Sequence, residues 1–443
     1  MHYAMPVVEV ASSKPPVRDS TTARRVCVGV VAFLISLSLV PAEFAIRDGD
    51  TVVFLGDSIT AARQYGKIIE TYTLLRFPER KVRFINAGKG GETAKGSLER
   101  LEKDVFGPGA TLVTVAYGVN DIGWGFKADE AHKKEYLEAI GELVERCKKH
   151  GVRPFICSAT ITAEDPDKAE HGFLQAMCDE GLAIARARGA GTIDVQRAMR
   201  AAQRRMLAAN AQESERTKPA RMHVDDGVHL TDLGQMAMAF AILKGLGAPA
   251  DVSAASIDAR SAKAVAAESC RISRVQCKAD CLSFTRTDER LPLNLSPLWL
   301  IEGRFVPFTE ELNRYFLSVT NLAEGQYEVL AGDRPLGKWS AEALAAGVNL
   351  ASATADPWQP GGPWDAQAQA LKILVDAQDD LEVCRRAMNE TLTSHPRLPA
   401  LRAKATEIEQ RLIGLQRELA KPVPVAFIVR ASTSGAGTAE SAR

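Results

Sequence analysis

The feature that most constrains this 443-residue chain is an alternation of strand and helix patterns between Phe44 and Gly247. Short apolar runs alternate with longer segments in which apolar residues recur every three or four positions. Strands that alternate with helices form parallel sheets whose two faces are covered by those helices. The pattern therefore predicts an α/β fold with five strands, at Val52–Leu55, Val82–Ile85, Thr111–Gly118, Pro154–Ser158 and Thr192–Val195.

The composition changes after Pro249, and the remaining sequence predicts a different architecture. Residues 251–362 contain short strand patterns separated by Gly, Asn and Asp turns, which indicate a β-rich accessory module with antiparallel strands. Residues 363–420 contain two helices with apolar residues at alternating three- and four-residue steps, which predict an antiparallel hairpin. Its apolar seam either packs on its own chain or forms an oligomer interface. Residues 421–443 are predicted to be a partly disordered tail.

The N-terminal segment predicts export from the cytoplasm. Arg24 and Arg25 precede fifteen uncharged, mostly apolar residues, and Val40-Pro41-Ala42 places small residues where a signal peptidase cleaves. We therefore assign 1–42 to a signal peptide and the catalytic region to 43–250, with a periplasmic or extracellular mature protein. The alternative is an uncleaved anchor, which would be the chain's one contact with the membrane, although the run is shorter than the ~20 residues of a typical span.

The net charge and the number of cysteines limit which binding partners and which disulfide bonds the chain can have. The formal net charge is zero, so the chain lacks the basic footprint of a nucleic-acid-binding protein. Eight cysteines become seven after signal cleavage, an odd number that excludes complete intramolecular pairing. One disulfide is expected among Cys270, Cys277 and Cys281, which lie close together in the sequence.

Polar and glycine-rich blocks follow the predicted strands. "GDSIT" places Ser58 after the first strand, "NAGKGGET" includes Gly91 after the second, and "GVND" places Asn120 after the third. The "DDGVHLT" block before the last helix contains Asp226 and His229. Because the carboxyl ends of parallel strands share one edge of a sheet, these blocks are expected to converge there.

Such a set of residues is typical of nucleophilic catalysis by serine. A reactive serine needs a base, an acid that orients the base, and donors for an oxyanion. Asp226 and His229 are three residues apart, so one turn would let the carboxylate orient the imidazole, although Asp225 is an alternative partner. The glycines expose backbone N–H groups, and Asn120 has a side-chain NH₂.

Two other interpretations of the same residues remain open. In the first, Ser58 is an ordinary turn residue, because Gly, Asp and Ser are all common in turns. The G-x-S-x-G elbow of α/β-hydrolases is not met, since Thr60 stands where that motif requires glycine. In the second, His223, Asp225, Asp226 and His229 form a metal cluster.

The four blocks together resemble those of the GDSL or SGNH esterase/lipase superfamily, over roughly Ile46 to Gly247. The resemblance implies a three-layer α/β/α sandwich with a five-stranded parallel sheet and neither metal nor cofactor. It implies that Ser58 is the nucleophile, His229 the general base and Asp226 its partner. The N–H groups of Ser58 and Gly91 and the Asn120 side chain would form the oxyanion hole.

The remaining inferences concern supporting residues and substrate. Asp57 and Asp121 are predicted to order the catalytic loops, and Tyr65, Tyr117 and Trp124 are candidates for lining the pocket. The function predicted is an exported serine esterase acting on carboxylic esters, with short acyl groups such as acetyl on a small molecule or polysaccharide. Two alternatives are an acyltransferase with the same acyl-enzyme and a non-catalytic carbohydrate-binding protein.

Overall fold

The computed structural model describes residues 43–212, 218–278, 281–294 and 303–432. The predicted signal peptide lies outside these residues. In the part of the chain that is described, every helix is too short or too polar to cross a bilayer.

A five-stranded parallel sheet organises the N-terminal half of the described chain. Its strands follow the order β2-β1-β3-β4-β5 across the sheet, and every neighbouring pair is parallel. Their bounds are β1 Thr51–Gly56, β2 Arg83–Gly88, β3 Leu112–Ala116, β4 Arg153–Cys157 and β5 Gly191–Ile193. This sheet confirms the predicted α/β fold class.

Helices cover both faces of this sheet. Their bounds are α1 Ser58–Ala61, α2 Gln64–Arg76, α3 Ala94–Ser97, α4 Glu130–Lys149, α5 Pro166–Ala169, α6 Phe173–Ala187, α7 Val195–Asn210 and α8 Asp232–Gly245. Successive residues of a strand point to opposite faces. Val52 and Phe54 accordingly pack with α2, α7 and α8, whereas Val53 and Leu55 pack with α3, α4 and α6. The result is a three-layer α/β/α sandwich.

Side-chain caps fix the helix starts that lie near the carboxyl edge of the sheet. Asp57, Thr93 and Thr231 each accept a hydrogen bond from a backbone N–H in the first turn of α1, α3 and α8. Such caps satisfy donors that have no partner within the helix. Each of these residues belongs to, or directly follows, one of the sequence blocks, so the blocks determine where the chain turns into helix.

Two further sheets form the C-terminal region, as predicted for a β-rich module. Their strand orders are β13-β10-β6-β7 and β12-β11-β14-β9-β8. The bounds are β6 Asp251–Asp258, β7 Lys263–Glu268, β8 Cys270–Lys278, β9 Cys281–Asp288, α9 Phe308–Glu311, β10 Arg314–Thr320, β11 Gln326–Ala331, β12 Arg334–Ser340, α10 Ala341–Ala346, β13 Val348–Asn349, α11 Pro363–Thr391, α12 Leu398–Ala420 and β14 Val425–Ala431.

Two details of this region differ from the sequence analysis. Strand β10 pairs in parallel with β6, so the module is not purely antiparallel. The assignment of 421–443 to a tail is wrong for Val425–Ala431, because β14 lies between β9 and β11 in the middle of its sheet. Val425, Phe427 and Val429 are buried there. Alternating apolar residues stabilise a central strand once partners on both sides are present.

The cysteines 270, 277 and 281 lie on β8 and β9 and are unpaired. Cys277 faces Leu282 and Cys281 faces Lys278 in the antiparallel register. The structure therefore does not form the disulfide expected among these three residues.

The helices α11 and α12 form the predicted hairpin, and α11 packs on α2 of the α/β/α sandwich. Arg63 forms an ion pair with Asp379, and Lys67 Nζ lies 2.8 Å from a carboxylate oxygen of Asp376. Arg386 donates to the main-chain oxygen of Asn86 at 2.9 Å. These contacts support the interpretation that the hairpin packs on its own chain, while the use of its remaining surface in an oligomer stays a prediction.

Candidate active site

Ser58, His229 and Asp226 lie in hydrogen-bond contact at the carboxyl edge of the sheet. Ser58 Oγ is 2.8 Å from His229 Nε2, and His229 Nδ1 is 2.6 Å from a carboxylate oxygen of Asp226. Ser58 is the first residue of α1, directly after β1, and His229 lies 171 residues further along the chain. Only the fold brings the serine to the imidazole.

Hydrogen bonds from nearby backbone N–H groups hold the Asp226 carboxylate in place relative to the His229 ring. Asp226 Oδ1 accepts from the backbone N–H groups of Val228 and His229, both at 2.9 Å, so its other oxygen faces His229 Nδ1. The hydrogen bond from His229 and these backbone donors lower the pKa of Asp226 to about 2. The carboxylate is therefore ionised at neutral pH and is placed to stabilise a protonated imidazole.

The alternative partners proposed for this block are engaged elsewhere. Asp225 points to solvent and accepts from Arg221 at 2.6 Å. His223 is buried, and its Nε2 lies 3.0 Å from the main-chain oxygen of Ile161. Among the residues that the structure describes, no three His, Cys, Asp or Glu side chains are grouped closely enough to hold a metal ion.

The residues predicted to bind an oxyanion, Gly91 and Asn120, lie on the loops that follow β2 and β3. Gly91 has a φ of +72°, a left-handed conformation that glycine adopts without strain, and the position of a Cβ there would be open. Asn120 is held at both ends of its amide, since Nδ2 donates to the Glu92 carbonyl at 3.1 Å and Oδ1 accepts from Trp124 Nε1 at 2.9 Å. The second Nδ2 hydrogen of Asn120 remains available for a ligand.

A buried ionic network, which no motif in the sequence predicted, supports the loop that contains Gly91. The Glu92 carboxylate forms ion-paired hydrogen bonds with Arg100 and accepts from the Tyr117 hydroxyl at 2.7 Å. Arg100 also donates to the Ala87 carbonyl at the end of β2, at 2.7 Å. In the sequence Glu92 is only a charged residue beside two glycines, and that pattern does not indicate that it pairs with Arg100, eight residues away.

The three aromatic residues proposed to line the pocket have different environments. Tyr65 is buried with its hydroxyl 3.0 Å from Thr60 Oγ1, and Tyr117 is buried against Glu92. Trp124 is 44% exposed, and its ring lies edge-on to the His229 ring with centroids 5.7 Å apart. Of these three residues, Trp124 is the one that contacts His229 and Asn120.

Asp57 and Asp121 are both buried beside the loops that follow β1 and β3. Asp57 Oδ1 accepts from the Ile59 N–H and caps α1, and Asp121 Oδ1 accepts from the Ala94 N–H of α3, each at 2.9 Å. Burial raises the pKa of Asp57 to about 6 and that of Asp121 to about 7, and the Asp57 charge contributes to the shift at Asp121. Both residues thus hold the ends of short helices, as expected of supporting residues.

We expect the Asp57→Asn variant to be more stable than the wild type above pH 6. The folded-state pKa of Asp57 is about 6, above its ordinary value of 3.8, so ionisation opposes folding and the cost grows as pH rises between these values. Asparagine keeps an oxygen for the Ile59 N–H but carries no charge. The gain should be absent below pH 4 and reach at most on the order of 3 kcal/mol at neutral pH.

Urea-denaturation midpoints between pH 4 and pH 8 measure this effect. Asp129→Asn is the matched control, because Asp129 also caps a helix, by accepting from the His132 N–H, but its side chain is exposed. Its pKa is lowered by the His132 contacts, so removing its charge should give no gain. A pH-independent difference for Asp57→Asn would contradict the proposed ionisation.

Part of the chain is similar to a known protein family and to a known protein. Residues 54–237 match the model of the GDSL-like Lipase/Acylhydrolase family. A Bacillus subtilis (strain 168) protein described as "Uncharacterized lipoprotein YqeF" is 28% identical over 146 residues, which cover 31% of this chain and 59% of that protein. The chain thus spans less than two thirds of this relative.

The chain is also similar to two solved structures. "BT4096 a gut microbial diltiazem-metabolizing enzyme" is 24% identical with a TM-score of 0.73, covering 87% of this chain and 98% of that one. The acetylxylan esterase Axe2 from Geobacillus stearothermophilus is 20% identical with a TM-score of 0.39, covering 46% of this chain and 96% of that one. The first of these shares the fold well beyond the parallel sheet.

Proposed function

We propose, on the premise that residues 54–237 form a domain of the GDSL-like lipase/acylhydrolase family, that this ester-bond hydrolase acts through Ser58, His229 and Asp226. The observation that carries the proposal is the continuous contact from Ser58 Oγ through the imidazole to the Asp226 carboxylate. A serine hydroxyl becomes nucleophilic when an adjacent base removes its proton, and the base acts best when a third group orients it.

The geometry supports a two-step reaction. Ser58 Oγ attacks the ester carbonyl while His229 Nε2 takes its proton, and the Asp226 carboxylate stabilises the imidazolium that forms. His229 then gives the proton to the departing alkoxide, which leaves an acyl-enzyme on Ser58. Water, activated by the same imidazole, attacks that ester and releases the acid. The proton and the serine are restored at the end of the cycle.

The oxyanion of each tetrahedral intermediate would be stabilised beside α1. The N–H of Ser58 at the start of that helix, the N–H of Gly91 and the free Nδ2 hydrogen of Asn120 are the donors we assign. Donors that are held in place before the reaction need no reorganisation when charge develops, and each contributes about 3 kcal/mol in comparable sites. The hydrogen bonds at both ends of the Asn120 amide provide this preorganisation.

The surroundings of Ser58 favour short acyl groups. The His229 and Asp226 side chains are 36% and 34% exposed, so the site is open to solvent. The cavity beneath the nucleophile turn, bordered by Ile59, Ala116 and Val119, measures only about 10 Å³. A space of this size holds at most about one water molecule, so this cavity offers no buried channel for an alkyl chain beneath the serine. Acetyl esters of small molecules or carbohydrates are therefore the substrates we propose.

We also propose that the protein is exported. The apolar segment after Arg24 and Arg25 favours a protein that acts in the periplasm or outside the cell on envelope or extracellular esters.

Acyl transfer is the alternative reaction. An open site also admits an alcohol in place of water, which would make the protein an acyltransferase. Analysis of the products formed from an acetyl donor with and without a polysaccharide acceptor distinguishes the two.

We expect a fluorophosphonate to form a single adduct on Ser58 and the enzyme to prefer acetyl over long-chain esters. The adduct forms when Ser58 Oγ displaces fluoride at phosphorus, a step that needs the His229 base. Mass spectrometry of the labelled protein, beside Ser58→Ala and His229→Ala, measures the first point. Initial rates on 4-nitrophenyl acetate, butyrate, octanoate and palmitate measure the second.

The two measurements test the esterase function and the substrate preference separately. Folded protein without an adduct would contradict the esterase proposal and favour the carbohydrate-binding alternative. An adduct together with faster cleavage of octanoate and palmitate would leave the mechanism in place and contradict the preference for short acyl groups.

A further inference from the structure

Trp124 lies in a backbone conformation that tryptophan rarely adopts. Its φ and ψ are 60° and 27°, and its neighbours Gly123 and Gly125 also have positive φ values, of 50° and 97°. A bulky residue in the left-handed region is strained, and such strain persists where a function requires the side chain to be there. The turn is closed by the Trp124 N–H, which donates to the Val119 carbonyl at 2.9 Å.

The indole touches two catalytic elements at once. Nε1 donates to Asn120 Oδ1 at 2.9 Å, and the ring meets His229 edge-on at an interplanar angle of 77°. These contacts leave 44% of the residue exposed, so a large part of the aromatic surface faces solvent beside the site. Burial in a core therefore does not explain the strained turn.

The position of Trp124 identifies which half of an ester it would meet. During acylation His229 Nε2 must reach the oxygen of the departing alcohol, and Asn120 must reach the carbonyl oxygen. A side chain that borders both groups lies beside the alcohol half of the substrate. The acyl half extends from the carbonyl carbon in the remaining direction, away from these two groups.

We infer that Trp124 is a specificity-determining residue that binds the alcohol half of the ester and selects alcohols bearing a flat, apolar-faced ring. This inference rests on the proposed esterase function of the same site. Exposed aromatic faces bind flat rings through apolar contact and stacking at low entropic cost. Aromatic alcohols and pyranose sugars both present such a face, and the experiment below distinguishes them.

The test compares three acetate esters that generate the same acetyl-enzyme: ethyl acetate, benzyl acetate and a mono-acetylated methyl pyranoside. Their kcat/KM values report acylation, in which the alcohol is still bound. We expect Trp124→Ala to lower kcat/KM for a ring-bearing ester about five- to tenfold more than for ethyl acetate. An extra loss for benzyl acetate alone, relative to ethyl acetate, would identify an aromatic alcohol, and an extra loss for the pyranoside alone would identify a sugar.

Trp124→Phe separates ring contact from hydrogen bonding. Phenylalanine keeps an aromatic face but lacks the donor to Asn120 Oδ1, so all three kcat/KM values should fall by a common factor of about three to ten while the ring preference remains. Trp358→Ala is the control for loss of a surface tryptophan, because Trp358 is 89% exposed in the C-terminal region. It should leave all three values unchanged.

Two outcomes would overturn the inference while leaving the esterase function intact. One is a wild-type enzyme that hydrolyses all three acetates without preferring either ring. The other is a Trp124→Ala variant with normal thermal stability whose losses are equal for all three esters. Failure of the wild type to hydrolyse any of the three would instead remove the proposed function together with the inference.

Discussion

Replacing Ser58 with alanine is expected to lower kcat by a factor on the order of 10⁴ to 10⁶, and adding His229→Ala should lower it little further. Ser58 and His229 are in direct contact at 2.8 Å, so neither has a role in proton transfer without the other. Residues that act as one unit show such non-additive losses. Residual activity would come from the oxyanion donors and from substrate binding, which both variants retain.

Purified variants assayed on an acetyl ester, with single-turnover rates where kcat is too low, measure this effect. His132→Ala is a matched control, because Asp129 and His132 have the same three-residue spacing and a contact of 2.9 Å between Nδ1 and the carboxylate. That pair lies at the start of α4, and we expect the control to keep full activity. Independent, multiplicative losses for Ser58→Ala and His229→Ala would contradict the proposed relay.

Replacing Arg286 with alanine should cost about 3 to 5 kcal/mol of folding free energy, the largest stability effect we expect from a single substitution. Arg286 is fully buried between the two C-terminal sheets, where Nε donates to Asp288 at 2.9 Å and Nη2 donates to Ser253 at 2.7 Å. Its guanidinium also lies 3.9 Å from the centroid of the Tyr315 ring. Truncation would leave the buried Asp288 carboxylate without a cation, and an unpaired buried charge is strongly destabilising.

Urea denaturation followed by tryptophan fluorescence measures this loss, since Trp364 packs edge-on to Tyr315 at a centroid distance of 4.9 Å. Arg430→Ala is the control within the same sheet, because Arg430 pairs with Glu328 across strands but is 54% exposed. Surface ion pairs contribute about 0 to 1 kcal/mol. Equal losses for the two variants would show that burial does not control the energetics of these pairs.

In the C-terminal region, local sequence patterns did not predict which strands pair with one another. Alternation of apolar residues in Val425–Ala431 was present in the sequence, yet the segment follows a hairpin and precedes a polar terminus. Its partners β9 and β11 are distant in the chain, so nothing nearby indicated a central strand. The parallel pairing of β6 with β10 could not be predicted for the same reason, since these two strands are also distant in the chain. Strand partners are set by packing across the whole module rather than by local propensity.

The hairpin illustrates a related point about interaction partners. Its apolar spacing predicted two packed helices, and these are present. The charged residues that join it to the α/β/α sandwich, among them Asp376, Asp379 and Arg386, lie on α11, and no sequence pattern indicates their partners. An ion pair across 316 residues is visible only when both helices are in place.

The sequence alone determined the fold class and the identity of the candidate catalytic residues, because hydrophobic periodicity and short blocks at strand exits are local properties. It left open whether Asp225 or Asp226 would orient His229. In the tertiary structure the Asp226 carboxylate contacts Nδ1 of His229, and Nε2 of the same ring contacts Ser58 Oγ, 171 residues away in the chain. It also decided that Trp124 borders the site while Tyr117 is buried in an ionic network. Distances between remote residues depend on how the layers pack, and that packing is a property of the whole chain.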